Sequence, residues 1–276
     1  MPVHSFMPSL KPNLTLSMLG QDEFAKKVNE GLSKNEFVVH YQPIINLFTG
    51  RIDGMEALVR WVSPTGLISP AEFIPMAEET GLIVPLGNTV LRTACTQAQE
   101  WRKKGYTELC LSVNLSAKQF QQAALLKTLR DTLQETQLPA DCLELEITES
   151  HAMGSAQLTV SILQNLKAMG VRLAIDDFGT GYSSLSYLTR FPLNTLKIDR
   201  SFVKDLMTDP NDVAIVKAMV GLAHALKLEV VAEGVETQEQ LDKLREFGCN
   251  RMQGFFFSKP VDAKIFESYL QSHKAL

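Results

Sequence analysis

The sequence predicts an α/β fold built as a closed barrel of eight strands, with one strand antiparallel to the others. Three observations carry this. From residue 109 onward strand-like and helix-like segments alternate, which implies a parallel sheet. Ahead of them two strand-like runs are joined by the short turn Phe48-Thr49-Gly50, which implies an antiparallel hairpin. Acidic or amide residues then recur at the end of strand after strand, at positions 56, 114, 146, 176, 197, 233 and 253 counting Lys197. A doubly wound sheet places its ligand at one switch point, so this recurrence favours a barrel with its site on the C-terminal face.

The elements follow in order. Residues 1–20 read as an irregular lead, and a helix is predicted over 22–32. Strands are predicted at 37–45 and 51–61. Ser69 and Glu72 have capping-box spacing, Pro70 suits the first helical position, and Gly81 closes that helix. A second helix is predicted over 87–104, followed by strands at 109–115, 142–148, 171–176, 194–198, 228–232 and 251–256. The helix predicted at 155–169 shows Leu158, Ile162, Leu166 and Met169 on one face and stops at Gly170. Another, at 237–247, opens with Thr237 and Gln240 as a capping box and ends at Gly248.

Composition bounds the function. The chain has 276 residues, 45% of them hydrophobic and 21% charged, ordinary for a globular domain able to bury a sizeable core. A formal charge of −4 argues against a protein that coats DNA or RNA. It does not argue against a phosphate-bearing ligand, because bound cations invert a local field. Cys95, Cys110, Cys142 and Cys249 lack metal-site spacing and read as free thiols of a reducing compartment. No apolar run approaches the ~20 residues that span a bilayer, and no signal-peptide core is present. The expectation is a cytoplasmic protein with no membrane segment of its own.

Strand parity locates the chemistry. In Leu143-Glu144-Leu145-Glu146-Ile147 the aliphatic residues share one face and the glutamates the other. Helices cover the outside of a barrel, so Glu144 and Glu146 point inward. Glu56, Leu58 and Arg60 likewise share a face. Buried carboxylates without partners cost several kcal/mol each, so a group of them is tolerable only where a cation or a network of basic groups compensates. Oxygen donors are what hard divalent cations prefer. Asp176 and Asp177 would diverge on a regular strand, but Phe178-Gly179-Thr180-Gly181 lets the chain turn. Two carboxylates alone also fit a glycoside hydrolase; Asn114 and the inward Lys197 fit phosphate chemistry better.

The chain resembles the EAL-domain family of cyclic-di-GMP phosphodiesterases from about Asp22 to Leu270. The strings that carry the resemblance are Tyr41-Gln42-Pro43-Ile44, Glu56-Ala57-Leu58-Val59-Arg60, Ser112-Val113-Asn114, Glu146-Ile147-Thr148-Glu149, Asp176 through Leu185, Lys197-Ile198-Asp199, Glu233-Gly234-Val235-Glu236-Thr237 and Gln253 through Pro260. One string is weak evidence, whereas all of them in order are specific.

The resemblance implies a modified TIM (β/α)8 barrel with an antiparallel first strand, occupying residues 21–276. It implies hydrolysis of cyclic di-GMP to linear 5'-pGpG with two Mg2+ or Mn2+ ions per site and inhibition by Ca2+. By position, the metal ligands are Glu56, Asn114, Glu146, Asp176, Asp177 and Glu233. Catalytic roles fall to Lys197, Glu233, Glu56 and Asp177, with Glu233 a ligand or candidate general base. Gln42, Leu58, Arg60, Asn114 and Gln253 are implied substrate contacts, Arg60 on a phosphate. Glu149 is implied to anchor the loop after Asp177, a loop that couples to the dimer interface in relatives. A homodimer and a separate sensory partner are the implied assemblies, and 276 residues leave no room for a sensory domain.

Two other function classes compete with this reading. One is a member of the family that holds the dinucleotide, or a protein partner, and turns over poorly. The other is an unrelated Mg2+-dependent barrel enzyme acting on a small phosphorylated metabolite. The complete metal set favours the phosphodiesterase over the first, and Gln42 and Arg60 favour it over the second. Glu144 and Asp199 are inward by parity and are either catalytic or partners for Arg or Lys. Glu236 is divided between helix capping and loop positioning. The five histidines read as incidental. Phe255 stands where relatives often carry Tyr, and one ring of Phe255-Phe256-Phe257 could stack on a guanine.

Overall fold

The computed structural model describes residues 16, 20–153, 156–181 and 185–272. The lead at 1–20, apart from residues 16 and 20, therefore lies outside the described residues, as do Tyr182-Ser183-Ser184 and the start of the helix predicted at 155.

Nine strands form one sheet: β1 Phe37–Asn46, β2 Ile52–Ser63, β3 Gly66–Ile68, β4 Cys110–Asn114, β5 Leu143–Thr148, β6 Arg172–Phe178, β7 Thr195–Ile198, β8 Glu229–Ala232 and β9 Arg251–Met252. Eight of them close in the order β1-β9-β8-β7-β6-β5-β4-β2, with β2 returning to β1. β1 is antiparallel to both its neighbours, and the other seven barrel strands run parallel. This is the modified TIM barrel with an antiparallel first strand. β3 is an unpredicted addition, an antiparallel arm on β2 turned by Pro64-Thr65-Gly66, with Gly66 at φ 126°.

Local chemistry explains several of the helix ends. Thr237 and Gln240 form the predicted capping box, and Gly81 and Gly248 adopt left-handed C-caps. Ser69 does not form its predicted box: Pro70 takes the first helical position, but the serine side chain makes no cap bond. Ser116 and Gln119 form a capping box that the sequence reading missed. The helix Ile83–Lys103, which comes after Pro70–Thr80, starts earlier than predicted, and the helical region after β5 divides into Glu149–Met153 and Ala156–Ala168.

Strand parity holds. Leu143, Leu145, Leu173, Ile175, Leu196, Ile198 and Val230 are buried, in one core with helix residues such as Leu166, Val216, Val220 and Leu244. Each fully buried aliphatic of this kind contributes roughly 1.5–3 kcal/mol. A second cluster, with Phe24, Phe37, Trp61, Phe73 and Leu86, holds the first helix, Gln21–Ser33, and the second, Pro70–Thr80, against the start of β1 and the end of β2. Trp61 also donates its indole N–H to Glu36 Oε2 at 3.0 Å.

The barrel interior is polar and layered. Toward the N-terminal ends of the strands, Arg172 Nε donates to Glu144 Oε1 at 3.1 Å and Arg172 Nη2 to Glu229 Oε2 at 2.6 Å. Arg251 reaches Glu229 at 2.6 Å and Asp53 at 3.1 Å, and Thr195 Oγ1 donates to Glu144 at 2.7 Å. Glu144 is thus a structural partner for Arg172 and takes no place at the mouth. The predicted site residues form the other layer, at the C-terminal ends.

Candidate active site

Register brings the predicted residues to one level. Gln42 pairs with Glu56 across β1–β2, Glu56 with Ser112 across β2–β4, Asn114 with Glu146 across β4–β5, and Thr148 with Asp176 across β5–β6. Lys197 reaches the same level from β7 and is 1% exposed. Its Nζ lies 2.7 Å from Glu146 Oε2, 2.7 Å from Glu233 Oε1, 3.3 Å from Asp176 Oδ1 and 3.8 Å from Glu56 Oε2.

Amides orient the carboxylates. Asn114 Nδ2 donates to Glu56 Oε1 at 2.5 Å, and Gln253 Nε2 donates to Glu56 Oε2 at 2.6 Å and to Gln42 Oε1 at 2.9 Å. Gln42 Nε2 in turn donates to the Ser258 carbonyl at 3.1 Å. Gln253 lies past β9, which ends four residues earlier than predicted. The chain leaves the sheet there because Gly254 packs against the Val235 backbone, where a Cβ would clash. The loops after β8 and β9 can therefore meet over the mouth.

Asp177 departs from strand geometry. Its φ is 53°, and the β6–β7 register shifts between Ile175 and Phe178. Its backbone N–H donates to Asp176 Oδ1 at 2.9 Å. The turn that unites the two aspartates therefore begins at Asp177 itself, before the glycines that the sequence suggested. Carboxylate oxygens of Asp176, Asp177 and Glu233 lie within 4.8 Å of one another. The next turn is held from β5's end, where the buried Glu149 accepts the Gly179 N–H at 2.7 Å. Gly179 sits at φ 101°, with Met219 and Phe202 packed where a Cβ would project.

Charge in this layer is unbalanced. Burial opposes the Lys197 charge, but Asp176, Glu146, Glu233 and Glu56 outweigh it and raise its pKa well above the usual lysine range. Burial raises the Glu146 carboxyl well above the carboxylate range despite Lys197, with Glu56 and Asp176 adding to the rise. Burial likewise pushes Glu233 up to about 8, and it raises Asp177 with help from neighbouring Asp176. Five carboxylates thus face one ammonium. Glu146 Oε1 and Gln253 Oε1 are buried with no hydrogen-bond partner. Such orphaned acceptors are costly unless a ligand completes them. Oxygen donors in excess of local positive charge are the donor set that divalent cations take, so Glu56, Asn114, Glu146, Asp176, Asp177 and Glu233 fit a metal centre.

Above this layer a cavity of about 330 Å3 opens, lined among others by Leu58, Arg60, Glu236 and Phe255. Burial lowers the Arg60 pKa, against the opposing pull of Glu56. Asp199, which parity left open, caps the helix Arg200–Lys204 by accepting the Ser201 N–H at 3.0 Å. Thr237, not Glu236, is the N-cap of its helix, and the Glu236 N–H donates to Gln240 Oε1 at 2.8 Å. The sequence reading missed Arg200, which also lines the cavity. Its signal was its place, directly after the strand end that carries Lys197 and Asp199.

The fold and this site define a class: α/β barrels with a polyanionic, lysine-centred mouth suited to divalent cations. The EAL domain model matches residues 25–260, and the chain belongs to the EAL domain family. It is 47% identical over 238 residues to the bifunctional diguanylate cyclase/cyclic di-GMP phosphodiesterase MucR of Pseudomonas aeruginosa, covering 86% of this chain and 35% of that protein. It is 42% identical over 253 residues to the cyclic di-GMP phosphodiesterase NbdA of the same organism, covering 91% of this chain and 32% of that protein. The chain thus spans about a third of the length of these curated relatives. A solved structure of the PaMucR phosphodiesterase in complex with c-di-GMP superposes with a TM-score of 0.86 at 46% identity, covering 88% of this chain and 99% of that one. Among the described residues no helix is long and apolar enough to cross a membrane.

Proposed function

We propose that this chain is a metal-dependent phosphodiesterase that hydrolyses cyclic di-GMP to linear 5'-pGpG. The observation that carries the reading is Lys197, buried and held by four carboxylates, beside an orphaned Glu146 oxygen at the barrel mouth. The names of relatives that cover most of this chain support the substrate.

Glu56, Asn114, Glu146, Asp176, Asp177 and Glu233 would hold two ions, Mg2+ or Mn2+. Bound there, the ions would supply an acidified water and stabilise both the attacking and the leaving oxygen. Hydrolysis joins a water oxygen to phosphorus and breaks the bond from phosphorus to a ribose 3'-oxygen, which leaves protonated. Lys197 Nζ positions the water and donates to the negative charge that develops, in a site where such donors are worth most. Glu233, next to that ammonium, is the candidate acceptor for the water proton. Gln253 and Asn114 fix the Glu56 carboxylate, while Gln42, Leu58 and Arg60 contact the dinucleotide, Arg60 at a phosphate. Glu149 anchors the loop that carries Asp177.

The reading extends to the whole chain as an EAL phosphodiesterase domain over residues 21–276 behind an irregular lead at 1–20. It is cytoplasmic, homodimeric and controlled through a separate sensory partner, and calcium inhibits it. Calcium accepts the same oxygen donors with longer, looser coordination.

The test is incubation with cyclic di-GMP and Mg2+ or Mn2+, with chromatographic separation of pGpG and Glu56→Ala as the control. Product that disappears with the substitution supports the enzyme and the metal site together. Tight dinucleotide binding without product moves the chain to the receptor class.

A further inference from the structure

A second cavity, of about 230 Å3, lies at the opposite end of the barrel from the mouth and shares no lining residue with it. Arg51 and Ile52 line it from the start of β2, and Tyr106, Glu108 and Leu109 from the loop ahead of β4. Tyr269 lines it from the last helix, Ala263–Gln271. Ile52 precedes the metal-layer residue Glu56 by roughly 13 Å of strand, at ~3.3 Å per residue.

The cavity carries two opposite charges that do not neutralise each other. Arg51 and Glu108 are both exposed, and among the described residues neither forms an ion pair. Glu108 makes a long contact of 3.5 Å with the neighbouring Thr107 hydroxyl. The nearby cations are engaged elsewhere: Lys104 pairs with Glu267 at 2.6 Å, and Arg102 Nη1 donates to the Thr107 carbonyl. Ile52 and Leu109 supply apolar surface, and Tyr106 and Tyr269 supply rings. A phosphate ester would be repelled by Glu108, and a simple amine by Arg51. A zwitterion with a ring satisfies the whole lining.

Tyr269 also ties this end of the barrel to the metal layer. Its ring meets Phe257 edge-on at 6.0 Å, and its hydroxyl lies 3.4 Å from Ser258 Oγ. The Ser258 hydroxyl donates to the Lys259 carbonyl at 2.7 Å, so Tyr269 is the donor in the longer contact. The Ser258 carbonyl accepts Gln42 Nε2 at 3.1 Å, and Gln42 leads through Gln253 to Glu56. Whatever shifts the Tyr269 ring is therefore transmitted to a carboxylate of the metal centre.

We propose that this cavity binds a free α-amino acid with an aromatic side chain, and that Tyr269 couples its occupancy to the dinucleotide site. The ligand carboxylate pairs with the Arg51 fork, its ammonium with Glu108, and its ring packs against the tyrosines. The cavity is smaller than the ~300–1,000 Å3 of sites for drug-sized ligands, which suits about twelve non-hydrogen atoms. The coupling rests on the phosphodiesterase reading, because it needs the dinucleotide at the mouth; the amino-acid site does not.

The experiment is a ligand-observed NMR titration of the full chain with L-phenylalanine, 3-phenylpropionate, which lacks the ammonium, and 2-phenylethylamine, which lacks the carboxylate. A Kd on the order of a millimolar is expected for L-phenylalanine, with each analogue about tenfold weaker or more, the worth of one charge-assisted contact. Arg51→Gln should erase the preference over phenylethylamine, and Glu108→Gln the preference over phenylpropionate. No saturable binding of L-phenylalanine, equal binding of the three probes, or preferences that survive both substitutions overturns the site. The L-phenylalanine titration is then repeated with c-di-GMP bound, using Ca2+ in place of Mg2+ so that it is not consumed. Coupling is reciprocal, so the affinity should change about fivefold or more in the wild type and stay constant in Tyr269→Phe. An affinity that ignores the dinucleotide, or a change that survives Tyr269→Phe, overturns the coupling. Titration with c-di-GMP alone tests the parent reading. A chain that takes L-phenylalanine but no dinucleotide refutes that reading and the coupling with it, and leaves the amino-acid site standing.

Discussion

Asp177 donates its backbone N–H to the side chain of Asp176 at 2.9 Å while its own φ sits at 53°. A strand residue in that left-handed conformation no longer alternates with its neighbour. Both carboxylates therefore turn to Glu233 instead of to opposite faces of the sheet. Left-handed backbone costs a side-chain-bearing residue roughly 1–2 kcal/mol, and Asp tolerates it better than most. Strain of this kind, kept at a candidate metal site, fits a functional role.

Asp177→Gly should separate the two contributions. Glycine relieves the backbone strain and removes the carboxylate. We expect a metal-free protein as stable as the wild type or more stable, by denaturant unfolding, with phosphodiesterase turnover down by at least about a hundredfold. Retained turnover would show that the Asp177 carboxylate is dispensable.

Lys197→Met should be severe in both respects. The side chain is 1% exposed and contacts four carboxylates. Removing one partner of a buried charge network costs about 3–5 kcal/mol, because the remaining charges are uncompensated. Urea unfolding of the metal-free variant checks this. Added Mg2+ should restore part of the stability without restoring turnover.

Glu233 gives a pH dependence with a definite sign. Burial raises its carboxyl from the usual 4.5 to about 8. Between those values the folded chain holds a proton that the unfolded chain releases, so stability from this group is full below about pH 4.5 and declines as pH rises toward 8. Glu233→Gln carries no such proton. In EDTA the variant should therefore gain stability relative to the wild type across pH 5 to 8, by thermal unfolding at each pH. A constant difference would mean that Glu233 is not held protonated.

Glu149→Ala should act through the loop. It removes the acceptor of the Gly179 N–H, in the turn that follows Asp177. The Mg2+ concentration for half-maximal turnover should rise about tenfold or more, since partners of ligating groups carry effects of that size. An unchanged metal requirement with lower stability would make Glu149 a purely structural residue.

The gathering of Glu56, Glu146 and Lys197 was legible in the chain because strand parity is local. Alternation of apolar and polar residues decides which side chains point into a barrel, and repetition at strand ends places them at one rim. Glu144 shows where parity stops. It points inward as predicted, but one pleat lower, where Arg172 neutralises it and Thr195 donates a hydrogen bond to it. Parity gives a face and not a depth; depth follows from the register between strands. Asp199 and Ser69 show the same limit at helix starts. Both residue types suit a cap, yet only Asp199 accepts a backbone N–H.

By itself the sequence determined the alternation of elements, the antiparallel first strand, the inward set of oxygen donors and the lysine among them. Those properties follow from residue periodicity and from short-range turn chemistry. Only the tertiary structure decided which elements become neighbours when the sheet closes. Closure brings Gln42 and Gln253, 211 residues apart in the chain, to a hydrogen bond of 2.9 Å. It also brings Arg200 and Arg60 to the lining of one cavity and kinks the backbone at Asp177. These are long-range outcomes of packing, because strand order and register depend on the whole core being filled at once.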